Sequence, residues 1–216
     1  MSILLQQLNE DLASVVTDVR RSLVQVMDAR GGAGAGTIWH GDGLIVTNAH
    51  VIARGEPIRV ALPDGRTFPA KVLARDREQD LAALAIDATG LPTVQPGDSR
   101  HLHPGQWVMA LGHPWGIVDA VTGGIVIGAG KELVELEAAT GRNWVAVSLH
   151  LRPGHSGGPL VDVHGRVVGI NTMMTGPDVG VAVPVDAVKQ FLKRALGSVV
   201  PAPPREADEP SAAQYV

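Results

Sequence analysis

The sequence predicts an all-β fold of short strands, closed by one helix at each end. Apolar residues alternate or cluster in many short stretches. Turn signals rich in Gly, Pro, Asp and Asn separate those stretches. Helical spacing is confined to the two ends. Short strands at this spacing make a β-barrel or a sandwich. With 216 residues the chain can bury a sizeable core in one or two domains.

Along residues 4–19, Leu5, Leu8, Leu12, Val15, Val16 and Val19 recur three or four apart, with Asp11 and Asp18 opposite, which predicts an amphipathic helix. Ser22 to Met27 alternates as a strand. The glycine-rich run from Gly31 to Gly36 reads as a flexible turn into Thr37-Ile38-Trp39. His40-Gly41-Asp42-Gly43 reads as a hairpin turn into Leu44-Ile45-Val46-Thr47. Strands are expected at 58–61, 67–74 and 81–86, with Pro63-Asp64-Gly65 turning between the first two. Residues 88–106 carry little periodicity and read as the crossing between two halves. Strands resume at 107–111, 118–129, 133–138, 144–149, 159–163, 167–172 and 179–183. Val185 to Leu196 closes the fold as a helix. Asp186 suits its start, Lys193 and Arg194 its negative end, and Gly197 its stop. From Ser198 the chain is rich in Pro, Ala and charge, which predicts a disordered tail.

Composition narrows the function. A net charge of −4 gives no reason to expect nucleic acid or an anionic membrane as partner. Aromatic residues are only 3 %, too few for base-stacking platforms. Cysteine is absent, so there is no disulfide, no thiol nucleophile and no cysteine metal site. His101 and His103 lie in a Pro- and Gly-rich loop and read as surface. No histidine shows the H-E-x-x-H spacing. No metal or cofactor is expected. The N-terminus shows neither a basic leader region nor a small-residue cleavage site. A cytoplasmic location is expected, or a periplasmic or secreted one if a leader was trimmed.

The chemistry concentrates in Arg152-Pro153-Gly154-His155-Ser156-Gly157-Gly158-Pro159. A serine held between glycines in a tight turn exposes its Oγ, and the same turn can aim backbone N–H groups at one point. A nucleophile and an oxyanion hole are the two parts an acyl-transfer site needs. Gly154 and Ser156 are the expected N–H donors, and the peptide between Gly154 and His155 is expected to set their aim. His50, in Thr47-Asn48-Ala49-His50-Val51, is the candidate general base, because imidazole titrates near neutral pH. Asp80, opening Asp80-Leu81-Ala82-Ala83-Leu84, is the candidate to accept the other ring N–H. Asp64, Asp76 and Asp87 compete for that role. The order His…Asp…Ser is that of chymotrypsin-type proteases and differs from subtilisins and α/β-hydrolases.

These motifs, with Leu111-Gly112-His113-Pro114-Trp115-Gly116, Val121-Thr122-Gly123-Gly124-Ile125-Val126, Gly169-Ile170-Asn171-Thr172 and Val179-Gly180-Val181-Ala182-Val183-Pro184, resemble the protease domain of the HtrA/Deg family. The resemblance spans about residues 8 to 196. It implies a chymotrypsin-like double six-stranded β-barrel with the triad between the barrels. The domain reading is then 1–20 helical, 21–95 first barrel, 96–185 second barrel, 186–197 helix and 198–216 tail. It implies a serine endopeptidase of unfolded polypeptides, and a homotrimer formed through the N-terminal segment. Residues 1–30, however, contain no aromatic for such contacts.

Three departures stand out. Family members usually carry one or two PDZ domains after the closing helix, whereas here only about twenty polar residues follow. PDZ-based control is therefore not carried over. The residue before the nucleophile is usually Asn in the family and is His155 here. The loops at His40–Leu44 and Thr175–Asp178 are short.

The substrate strand is expected against Asn171, Thr172, Met173 and Met174, pairing backbone to backbone. The primary pocket is expected between His150, Leu151, Thr172 and Val181. No acidic residue lies between Ser148 and His155 to attract Arg or Lys, so cleavage after small or medium aliphatic residues is expected. The tail ends Gln214-Tyr215-Val216, a terminus suited to a PDZ domain or to the chain's own cleft. The competing reading is a protease-fold chaperone or peptide-binding module with low or regulated turnover. Hydrolysis of small esters is a third.

Overall fold

Six short alternating strands close a first barrel. The computed structural model describes residues 3–29, 31–53, 57–176 and 178–197, so the expectations for the tail and for Tyr215-Val216 lie outside the described residues. Strands β1 (Leu23–Met27), β2 (Ala33–His40), β3 (Leu44–Thr47), β4 (Ile58–Ala61), β5 (Thr67–Asp76) and β6 (Leu81–Ala85) pair in the order β1-β2-β3-β6-β5-β4. Antiparallel pairing of β4 back onto β1 closes the ring. Alternate side chains point inward, and Val24, Val26, Ile38, Ile45, Val60 and Leu84 fill the interior.

The glycine-rich run is a correction to the expectation of a flexible turn. From Ala33 it is strand, in register with β1 from Met27↔Ala33 to Leu23↔Thr37. The glycines are there for space. A Cβ on Gly36 would meet Val24, Val26 and Ile45, and one on Gly34 would meet Val51 and the Ser156 carbonyl.

The second barrel follows a crossing that carries β7 (Gln95–Pro96). It comprises β8 (Trp107–Gly112), β9 (Ala120–Ala129), β10 (Val145–Ser148), β11 (Pro159–Asp162), β12 (Arg166–Gly176) and β13 (Val179–Pro184). Their order is β11-β8-β9-β10-β13-β12, and β11–β12 pairing closes the ring, with β7 added in parallel on β12. Val108, Ala110, Val126, Val147, Leu160 and Val168 fill it. The expected double six-stranded barrel is thus the observed architecture.

The helices are α1 (Ile3–Arg20), α2 (Val134–Thr140) and α3 (Val185–Leu196). Residues 133–138, expected as a strand, belong instead to the entry and first turns of α2. Their Val-Glu-Leu-Glu alternation imitates a strand, but β9 and β10 pair directly with each other and leave the connecting segment no ladder to join. Leu, Glu and Ala then favour a helix, and Gly141 ends it with φ 68°.

A third apolar cluster joins the barrels. Leu23, Ala35, Val46 and Leu81 meet Leu111, Val161, Ile170 and Val183, and Val188, Phe191 and Leu192 of α3 seal the junction. Each fully buried aliphatic side chain contributes about 1.5–3 kcal/mol. α3 is also pinned at its start, where Asp186 accepts from the Ser99 N–H at 3.1 Å and the Ser99 hydroxyl at 2.8 Å. Among the described residues, no helix is long and apolar enough to cross a membrane.

Candidate active site

His50 and Asp80 come from the first barrel. His50 stands in the turn after β3, and Asp80 just before β6. Asp80 adopts φ 52°, the left-handed region that Asp tolerates better than branched residues do. That conformation aims its carboxylate back at His50. Asp80 Oδ2 lies 2.8 Å from His50 Nδ1, and Oδ1 accepts the His50 backbone N–H at 3.0 Å. Its backbone is fixed too, because Asn48 Nδ2 donates to the Asp80 carbonyl at 2.9 Å. The Ala49 carbonyl beside His50 accepts from Arg75 at 2.9 Å. Two of the three competing aspartates are engaged elsewhere: Asp64 with Arg66 and Asp76 with Arg194.

Thr172 of the second barrel completes the carboxylate's surroundings. Its hydroxyl donates to Asp80 Oδ2 at 2.5 Å. Burial pushes the Asp80 carboxyl up, but the bonds from His50 and Thr172 outweigh it, and the group stays below its usual range. Asp80 is therefore an anion at neutral pH. It can hold one imidazole tautomer and stabilise the imidazolium.

Ser156 sits in the turn before β11, clamped by the first barrel. Ala35 N–H donates to the Ser156 carbonyl at 2.8 Å, and Thr37 Oγ1 donates to the Gly157 carbonyl at 3.2 Å. Gly154 and Gly157 have φ 108° and 87°. A Cβ at either would strike backbone atoms, of His113 and Ala35 respectively. Four successive amides then alternate. His155 N–H donates to the Arg152 carbonyl and Gly157 N–H to the Asn171 carbonyl, both at 2.9 Å. The N–H groups of Gly154 and Ser156 have no acceptor among the described residues.

The Gly154 N–H belongs to the Pro153–Gly154 peptide, and that peptide sets its aim, not the Gly154–His155 peptide of the sequence expectation. Its carbonyl, on Pro153, accepts from Trp115 N–H at 3.3 Å, so the trans N–H points away from Trp115. The Gly154 carbonyl accepts from His113 N–H at 2.9 Å. His155 is buried, with Nδ1 3.1 Å from the Arg152 nitrogen and 3.2 Å from its carbonyl. The Ser156 hydroxyl donates to the Thr172 carbonyl at 2.8 Å and not to His50.

Most of the expected substrate-contacting residues gather beside this turn. Leu151 and Val181 are buried, and Leu151 packs over Gly180 next to Val181. Met174 reaches across from β12, where its sulfur accepts the Leu151 N–H at 3.3 Å. His150 is half-exposed, with Nδ1 3.1 Å from Asp178 Oδ1. Met173 is exposed and lines a cavity of about 350 Å³ with His50, Arg77, Asp80, Arg142 and Thr172. Asn171 is tied into the serine turn itself, its carbonyl accepting from Gly157 N–H and its N–H donating to the Gly158 carbonyl, both at 2.9 Å. It is fully buried, and its amide is spent on the carbonyls of Pro159 and Leu111 at 3.0 and 3.3 Å. Sequence reasoning missed the bond from Thr172 to Asp80 and the anchoring by Asn48. A larger cavity, about 670 Å³, is walled by Ser99, Arg100, Glu132, Arg142, Asp186 and Arg194 among others, and touches none of His50, Asp80 and Ser156. Among the described residues, no group of His, Asp and Glu is placed to hold a metal.

Paired barrels with His and Asp on one and Ser on the other define the class of chymotrypsin-type hydrolases. Residues 34–170 match the family described as trypsin-like peptidase domain, and the chain belongs to that family. It is 39 % identical over 165 residues to the mitochondrial serine protease HTRA2 of Drosophila pseudoobscura pseudoobscura, covering 75 % of this chain and 39 % of the relative. It is 39 % identical over 175 residues to the chloroplastic Protease Do-like 1 of Arabidopsis thaliana, covering 76 % and 39 %. The chain thus spans about two fifths of the length of these curated relatives. Among solved structures, the HtrA-type protease AlgW with a tripeptide superposes with a TM-score of 0.79 at 30 % identity, covering 86 % of this chain and 64 % of that one. AlgW with a decapeptide gives 0.77 at 26 % identity, covering 86 % and 67 %.

Proposed function

We propose that this chain is a serine endopeptidase that cleaves unfolded polypeptides through a Ser156 acyl-enzyme. The observation that carries this reading is the pair of N–H groups on Gly154 and Ser156, without an acceptor among the described residues and on the same turn as the Ser156 hydroxyl. His50 takes the Ser156 proton as Oγ attacks the scissile carbonyl. The developing oxyanion is received by the two N–H groups. His50 then protonates the leaving amine, and water repeats the sequence to release the acid. Asp80 holds the imidazole throughout, and Thr172 holds Asp80.

Peptide binding sets the nucleophile free. A substrate strand pairing along β12 takes the Thr172 carbonyl as acceptor for its own N–H. The Ser156 hydroxyl, which occupies that carbonyl in the resting state, then turns to His50. The residue whose carbonyl is attacked enters the slot at Leu151, Val181 and Met174. Its walls of Leu, Val and Met support cleavage after small or medium aliphatic residues. The peptides bound to AlgW support a polypeptide substrate here.

The resting bond from Ser156 to Thr172 also favours a second reading, a peptide-binding module with low or regulated turnover. Incubation with unfolded casein separates the two. The first reading expects fragments ending mainly in Val, Ala or similar residues, and none with Ser156→Ala. Intact casein bound equally by both proteins supports the second. Ends dominated by Lys or Arg overturn the proposed specificity.

A further inference from the structure

Arg77 and Arg142 flank the cavity of about 350 Å³ beside His50, and neither makes an ion pair within 4.0 Å among the described residues. Four other arginines among the described residues are paired with a carboxylate, and two more are held by a carbonyl or a ring. Arg66 pairs with Asp64, Arg100 with Asp98, Arg166 with Asp162 and Arg194 with Asp76. Arg152 lies over the Trp115 ring, and Arg75 is held by the Ala49 carbonyl. A net charge of −4 makes two unneutralised arginines beside one cavity a local arrangement and not a by-product of a basic chain. The one acid lining that cavity, Asp80, is already taken by His50 and Thr172. Arg142 lies over the Trp144 ring, 5.5 Å from its centroid, which restrains its stem and leaves its charge at the cavity.

We infer that this cavity is a subsite for an acidic side chain of the substrate, on the N-terminal side of the scissile bond. The inference rests on the proposed peptidase reading. A strand laid along Thr172 to Met174 alternates its side chains. The first residue before the scissile bond faces the slot at Leu151 and Val181. The second and fourth therefore face the other way, toward His50, Met173 and the two arginines. A guanidinium takes a carboxylate with paired N–H donors, so Glu or Asp at one of those two positions is the matching chemistry. Lys or Arg there meets like charge. Selection on this face is independent of the aliphatic slot.

The test uses peptides with Val as first residue and Glu, Gln or Lys placed in turn at the second, third and fourth positions. The kcat/KM ratio of Glu to Gln should be about two- to fivefold at the second or fourth position, the scale of a partly exposed ion pair. It should stay near one at the third, and should shrink as salt rises from 50 to 500 mM (about threefold in screening length). In Arg77→Gln/Arg142→Gln the ratio should fall to near one, a comparison made within one protein and so independent of its overall activity. Equal cleavage of Glu and Gln peptides by the wild type overturns the subsite. If no peptide is cleaved, the peptidase reading fails instead. The subsite is then read by fluorescence polarisation on Ser156→Ala, where equal Kd for the Glu and Gln peptides overturns it.

Discussion

At the scale of single residues, the site is a set of hydrogen bonds with few spare partners. Thr172 spends its hydroxyl on Asp80 and its carbonyl on Ser156. Thr172→Val keeps the shape and removes the donor. A bond to a charged group contributes about 1.5–3 kcal/mol, so kcat/KM should fall about ten- to a hundredfold with little change in KM. Unchanged peptide kinetics would remove Thr172 from the machinery. His155 gives a pH prediction. Burial lowers its pKa below the ordinary 6.5 and outweighs the bond to the Arg152 carbonyl, which raises it. The unfolded chain then binds a proton that the folded chain refuses. Stability is full above about pH 6.5 and is lost as the pH falls below that unfolded-state value. His113, also lowered chiefly by burial, adds to the same slope. Urea midpoints should drop between pH 7.5 and pH 5, and His155→Asn should flatten part of that fall. An identical slope in the variant would contradict the assignment.

At the scale of elements, β2 links the barrels to the chemistry. It lines the first barrel with Ile38 and holds the serine turn through Ala35 and Thr37. Gly34→Ala would press a methyl group on Val51 and the Ser156 carbonyl. Overpacking of this kind costs about 1–3 kcal/mol. The substitution should also slow acylation by fluorophosphonates, because the turn must move. A normal acylation rate would show that the turn is not clamped from β2.

What was legible in the sequence divides along the same line. His50, Asp80 and Ser156 stand in short local motifs, so their types and order could be read directly. The β2 glycines could not, since a glycine strand has no side-chain alternation and its reason lies in Val24, Val51 and Ser156. α2 misled because its alternation is local, while the pairing that excludes it from the sheet joins β9 to β10. The bond from Thr172 to Asp80 spans 92 positions, beyond any local pattern. The barrel count came from resemblance, since strand lengths alone allow a sandwich as well.

At the scale of the molecule, the cleft depends on two barrels held in fixed relation. The shared apolar cluster and α3 do this more than charges do. Phe191 is almost wholly buried in that cluster, whereas the Arg194–Asp76 contact of 3.4 Å is exposed. Phe191→Ala should cost about 3–5 kcal/mol. Arg194→Ala should cost less than about 1 kcal/mol. Urea unfolding of both variants measures the difference, and comparable losses would contradict this account of the junction.

The central claim is that Ser156, once a substrate strand occupies the Thr172 carbonyl, is an activated nucleophile facing the N–H groups of Gly154 and Ser156. Labelling of the purified protein beside Ser156→Ala by a peptide phosphonate ending in Val, whose strand takes that carbonyl, tests it most directly. The account predicts covalent labelling of the wild type at Ser156 and none in the variant. No labelling of a folded wild type, or equal labelling of both proteins, would contradict it.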